Sequence, residues 1–254
     1  MGYVTAGSVI LVTGATGAIG FEIAAQAAAD GAIVGVHGSN AQTVAKAIER
    51  LKVRAPGADL IAAPGDFRTE GAAAAVVETV AQARGRLDSV VHCAITGAGG
   101  VTGVFRTTDP HNYGALAALV LGTFQQLCFA AMPHLAQNGG TIVGFASDAG
   151  RFAAPRQSIL GAAYGGIMSF VRNLALEASR DGVRVHCISP SFVADTPIFE
   201  AFVSRGGRAE AAQARAGLGL PTPTDIAPMV LFLCGPNAAR ITGQVISING
   251  GLNA

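Results

Sequence analysis

Seven short, nearly unbroken apolar runs punctuate the chain, at 8–13, 32–37, 58–63, 88–94, 140–146, 183–189 and 244–249. Stretches of helical character lie between them, near 18–30, 41–54, 69–84, 109–137, 157–180 and 223–234. A strand apolar on both faces needs cover on both, and alternating helices supply it. Right-handed crossovers leave few ways to arrange such units. The pattern predicts a Rossmann-type α/β fold: a doubly wound parallel sheet of about seven strands with helices on both faces. One domain over 1–254 accommodates the length. The segment 195–220, richer in Arg, Gly and Ala, breaks the alternation and reads as a lid or insertion near the ligand face.

Bulk properties exclude several functions. Half the residues are hydrophobic, 13% are charged and the net charge is +1. That balance gives no electrostatic case for nucleic acid or an anionic membrane. No apolar run reaches the roughly 18 residues of a membrane span. The start "MGYVTAGSVILVTGATG" lacks a basic region before its apolar stretch, so no secretory signal is expected. Its Met-Gly opening is followed by Ala6 where a myristoylation signal needs Ser or Thr. Cys93, Cys128, Cys187 and Cys234 lack paired spacing and each lies in an apolar run, as small core residues of a cytoplasmic protein would. His37, His92, His111, His134 and His186 are scattered, so no metal site is expected.

The first strand enters "TGATGAIG", with Thr13, Gly14, Gly17 and Gly20. Glycines at this spacing let the chain turn sharply and bring backbone N–H groups to a pyrophosphate at a helix N-terminus. Ile19 lies within the same turn. A turn of this kind also serves as a plain strand–helix connection. The second strand ends in "VHGSN", with neither an acid for an adenosine ribose nor an arginine for a 2′-phosphate, so NAD and NADP both stay open. Asp66, in "PGDF", stands where it could accept from an adenine amino group or cap a helix.

Taken together, these motifs resemble the short-chain dehydrogenase/reductase family. The resemblance rests on the glycine turn, "AGRLDSVVHCA", "GVRVHCISPSFVADTP" and "PTPTDIAPMVLFLCGPNAARITGQVISINGG", and covers nearly the whole chain. "SDAGR", 147–151, resembles a subgroup that oxidises hydroxyacyl-CoA and cyclic alcohols. The family implies NAD(P)(H) and a tetrad of Asn, Ser, Tyr and Lys. Ser147 matches the serine. Leu160, Tyr164 and Leu119 stand at the tyrosine, lysine and asparagine positions. The only lysines are Lys46 and Lys52, and the tyrosines are Tyr3, Tyr113 and Tyr164. Tyr164 lies one helical turn beyond Leu160, about 6 Å along the axis and too far for a contact near 3 Å. The wider spacing of enoyl reductases puts Gln157 at the tyrosine.

The resemblance also implies a changed cofactor floor. His92, Cys93, Ala94 and Ile95 replace the family's Asn-Asn-Ala-Gly, and Ile95 is expected to crowd the ribose. Ser191 replaces a glycine, and the carboxamide-binding threonine falls at Asp195 or Thr196. Arg151 and Arg156 could bind a carboxylate or CoA phosphate, or be solvated. His92 is expected to be the only histidine at a strand's C-terminal end near this face, and a Ser147–His92 relay is a minor alternative. Tyr164 reads as a core aromatic; His111 and Tyr113 read as cap and packing residues.

Three functions follow. The first is a non-catalytic subunit supporting an active paralogue in a dimer or tetramer, through helices beginning near 109 and 157. The cofactor would then bind here if the site is open, or only in the partner. Some hydroxyacyl-CoA dehydrogenases of anaerobic aromatic degradation are built from two such chains. The second is an oxidoreductase with altered residues, and the third a nucleotide-binding scaffold or sensor.

Overall fold

The computed structural model describes residues 2–94, 101–204 and 208–253. Its seven strands are β1 (Val9–Thr13), β2 (Ile33–Gly38), β3 (Leu60–Pro64), β4 (Ser89–His92), β5 (Gly140–Phe145), β6 (Val183–Pro190) and β7 (Val245–Ile248). They form one sheet in the order β3-β2-β1-β4-β5-β6-β7, with every pair parallel. All seven apolar runs became strands, displaced from the expected ends by a residue or two.

The helices are α1 (Ala18–Ala29), α2 (Ala41–Arg54), α3 (Ala72–Arg84), α4 (Tyr113–Ala117), α5 (Thr123–Leu135), α6 (Ser158–Ala178), α7 (Pro197–Val203), α8 (Arg208–Arg215) and α9 (Pro223–Cys234). One core packs α1, α2 and α9 against one sheet face through Ile23, Leu51, Val36, Ile188 and Leu231. The other packs α3, α5 and α6 through Val80, Phe124, Leu127, Ile142 and Val171. Each fully buried Leu, Ile, Val or Phe contributes about 1.5–3 kcal/mol, so two continuous layers fix the sandwich.

Local signals place the ends. Asn40 accepts from the Thr43 N–H at 2.9 Å and so starts α2. The Asp225 carboxylate accepts from the Thr222 N–H at 2.8 Å at the start of α9. The other end of α9 is closed by Arg184 of β6, which donates to the Leu233, Ala238 and Gly235 carbonyls at 2.5, 3.2 and 3.3 Å.

Two expectations need correction, and the one on membrane spans holds for unbroken runs alone. The helix expected over 109–137 is interrupted by a π-helical segment, Ala118–Gly122, between α4 and α5. Two helical stretches, Pro110–Leu135 and Ser158–Asp181, are long and apolar enough to cross a membrane by length and composition alone. Scattered polar residues hide that in a scan for unbroken runs. Both lie against the sheet, burying Phe124, Leu127, Ile167 and Val171. Asp66 caps no helix, since the residue before α3 is Gly71.

The segment expected as a lid carries α7 and α8. Ala212 and Ala216 pack with Leu252, Phe192 and Leu220, while the Leu218 N–H donates to the Gly250 carbonyl at 2.9 Å.

Candidate functional site

The strand order reverses between β1 and β4, and a parallel sheet opens a crevice beyond the strand ends at such a point. A cavity of about 200 Å³ lies there, lined by Gly14, Thr16 and Gly17 of the glycine turn and by Cys93 and Ala94 after β4. His37 and Gly38 from β2, Ser39 just after it, Gly65 to Arg68 after β3, and Leu119 complete it. Gly14 has φ of 70°, and a side-chain carbon there would fall 2.8 Å from the Ala94 nitrogen. Only glycine meets both demands. The Gly17 that precedes α1 makes no side-chain cap, so the first turn keeps N–H groups for an anion.

Of the expected cofactor residues, Gly14, Gly17 and Asp66 line the cavity. Thr13, Ile19 and Gly20 do not. Thr13 is fully buried, its hydroxyl 2.8 Å from His92 Nδ1. The Ile19 side chain packs into the α1 core, and Gly20 lies against the Gly14 carbonyl, where any side chain would collide. Their contribution is the shape of the turn. Ile95 lies outside the described residues.

His37, expected only as part of the second strand's undecided end, lines the cavity and corrects the expectation that His92 is the only histidine here. The Gly14 N–H donates to His37 Nδ1 at 3.1 Å, so Nε2 carries the proton and donates to the Gly65 carbonyl at 2.9 Å. Burial pushes its pKa down to about 4, and the ring is neutral at pH 7. It stacks on Phe67 at 4.3 Å. His92 is likewise buried, pushed down to about 3 by desolvation and then by His37. Its Nδ1 is bonded to Thr13, and among the described residues no hydrogen bond joins its ring to Ser147.

Of the residues expected at the tetrad positions, Leu119 sits in the π-helical segment and lines the cavity. The Ser147 hydroxyl caps a short turn, accepting from the Ala149 N–H at 3.4 Å. Leu160 is half-buried in the first turn of α6. Tyr164 packs in the core, and burial pushes its phenol up to about 12. Glycines let the Ser147 turn press onto α6: a side-chain carbon on Gly161 would fall 2.5 Å from the Ala149 carbonyl oxygen.

Asp148 is buried and serves as an anchor. Its carboxylate accepts from Ser189 at 2.9 Å, Ser247 at 2.7 Å, Asn249 at 2.6 Å and Asn253 at 3.3 Å. Those bonds tie the Ser147 turn to β6, β7 and the turn after β7. No described histidine bonds to it, so no Ser–His–Asp relay forms. Thr196 is spent as the cap of α7, accepting from the Phe199 N–H at 3.2 Å and donating to the Val193 carbonyl at 2.8 Å. Asp195 has φ of 57°, and Ser191 is half-buried beyond β6. Arg151 and Arg156 are exposed. His111 is exposed, and Tyr113 packs beside the core with its hydroxyl 2.5 Å from Thr108 Oγ1. Cys93 and Cys128 are pushed well above the usual thiol range by burial, Cys187 to about 12 and Cys234 to about 11, so none is a thiolate at neutral pH. Among the described residues no cluster could hold a metal.

A family model described as enoyl-(acyl carrier protein) reductase matches residues 14–253. The chain belongs to the short-chain dehydrogenase/reductase family.

It is 31% identical to the short-chain reductase protein NovJ of Streptomyces niveus, over 96% of this chain and 93% of that one. It is 34% identical to the inactive 2-(S)-hydroxypropyl-CoM dehydrogenase 2 of Xanthobacter autotrophicus, over 74% of this chain and 83% of that one. Among solved structures, a short-chain dehydrogenase/reductase from Mycobacterium ulcerans has a TM-score of 0.90 at 26% identity, over 98% of this chain and 90% of that one. A 7α-hydroxysteroid dehydrogenase complexed with NADH and 7-oxo glycochenodeoxycholic acid has a TM-score of 0.87 at 25% identity, over 98% and 95%.

The residues of this short-chain dehydrogenase/reductase fit the adenosine and phosphate parts of NAD(P). The uncapped start of α1, the crowded Gly14 and the cavity beside Ser39 and Asp66 supply donors, room and an acceptor. Bound there, such a cofactor would supply the hydride chemistry of the family. The residues expected around the ring end, Leu119 and Leu160, carry no group that moves a proton.

Proposed function

We propose that this chain is a non-catalytic subunit that supports an active paralogue in an NAD(P)-dependent alcohol or hydroxyacyl-CoA dehydrogenase assembly. One observation carries the reading. Leucine stands at 160, where the family resemblance expects the acid, and the phenol one helical turn on, Tyr164, is buried in the core with its pKa raised to about 12. Such acid/base help is typically worth about 10²–10⁴-fold. The similarity to a Xanthobacter chain named as inactive supports it.

The helices that would meet a partner retain an apolar surface. Phe129 on α5 and Leu176 on α6 are 84% and 77% exposed. Phe129 borders a cleft of about 670 Å³ that also includes Met132, Phe170 and Leu174. Exposed apolar patches of this kind mark interaction surfaces.

The test is an assay of the purified chain with NAD⁺ and NADP⁺ against secondary alcohols and hydroxyacyl-CoA thioesters, alone and co-expressed with an intact-tetrad relative from the same genome. The expected result is no turnover alone and a co-purifying, active complex with the relative. Turnover by the chain alone that Ser147→Ala abolishes would overturn the reading.

A further inference from the structure

Dinucleotide sites discriminate at the end of the second strand. A carboxylate there accepts from the adenosine 2′-hydroxyl and repels a 2′-phosphate, whereas a cation accommodates the phosphate. Here β2 ends in His37 and Gly38, and the exposed Ser39 follows. His37 supplies no charge, because both ring nitrogens are engaged by backbone and burial keeps the ring neutral.

The acid on the rim is Asp66, and it is neutralised. Arg68 Nε donates to both carboxylate oxygens at 2.9 and 3.1 Å, and one terminal nitrogen donates to Oδ2 at 2.6 Å. A guanidinium held along this edge still has its outer edge. Among the described residues, nothing bonds to Arg68 Nη1. Asp66 therefore orients Arg68, which like Ser39 lies in the wall of the same cavity. A sequence scan for an arginine directly after β2 misses it, because Arg68 arrives from the turn after β3.

We propose that this cavity selects a 2′-phosphorylated adenine nucleotide, NADP(H) over NAD(H), with Arg68 and Ser39 contacting the 2′-phosphate. The proposal rests on reading the cavity as a dinucleotide site, and it holds whether or not the chain turns over.

The test uses fragments that need no nicotinamide end. Calorimetric titration of the full chain compares 5′-AMP with adenosine 2′,5′-bisphosphate, which differ only in the 2′-phosphate. The bisphosphate is expected to bind about tenfold tighter or more, the worth of charge-assisted bonds to a phosphate. Arg68→Ala should reduce that preference to within about threefold, and Ser39→Asp should reverse it. Both side chains are exposed, and circular dichroism checks that the variants fold. Equal binding of the two ligands, or a preference that survives Arg68→Ala, overturns the proposal and leaves the dinucleotide reading standing. Binding of neither ligand overturns both.

Discussion

Gly150 meets Tyr164 so closely that a side-chain carbon on the glycine would fall 2.9 Å from the tyrosine Cβ and 2.6 Å from the next backbone nitrogen. Backbone cannot yield as a flexible side chain can. Gly150→Ala and Gly161→Ala should each therefore destabilise the fold by about 1–3 kcal/mol. For a chain of this size the melting temperature should fall by several degrees. Calorimetry of the two variants checks this, and unchanged melting would show that the crossing is looser than described.

Acid should weaken the protein in a defined window. His37 and His186 are pushed down to about 4 and His92 to about 3, all mainly by burial. In the unfolded chain each titrates near 6.5. The unfolded state therefore binds more protons between about pH 6.5 and the folded values. Stability is full above that range and falls as pH falls, by up to about 1.4 kcal/mol per unit for each histidine. Thermal melts from pH 7.5 to 5 should show a steep decline, and a flat profile would contradict the neutral assignments.

Among the described residues, neither ring nitrogen of the fully buried His186 makes a well-formed hydrogen bond, and its approach to the Ile241 backbone falls short of one. A buried polar group without a partner costs about 1–3 kcal/mol. Replacing it by an apolar side chain of similar size should remove that cost, so His186→Leu is expected to raise the melting temperature. It should also flatten the acid decline. Destabilisation at pH 7 would show that the ring has a partner after all.

Asp148 presents the opposite case, a buried carboxylate surrounded by donors. In Asp148→Asn an amide N–H₂ would face either the two serine hydroxyls or the Asn249 amide. The expected loss is about 2–4 kcal/mol in denaturant titration. Asn253→Ala should cost less, because it removes only the longest of the four bonds to the carboxylate, at 3.3 Å.

Much of the fold was legible because its signals are local. The apolar runs and the glycine turn each act within a dozen residues, and the structure turns each of them into the expected element. The misses share a different cause. His37 and Gly14 are 23 residues apart, and Asp148 and Asn253 are 105 apart, so only the folded sheet brings them together. The π-helical segment at 118–122 leaves no mark on composition, since its residues suit an α-helix equally well. Arg68 stands only two residues from Asp66. Its relevance depends on where the turn after β3 is aimed, which no spacing encodes.

Because Gly14 and Gly65 fix opposite nitrogens, His37 exists as one tautomer, and its ¹⁵N resonances should split into a protonated and an unprotonated line of equal weight. That pair of lines gives a chain without tryptophan its own spectroscopic reporter at the nucleotide cavity. Any ligand that draws the Gly14 N–H toward itself frees Nδ1, and the movement of a single resonance would record its arrival.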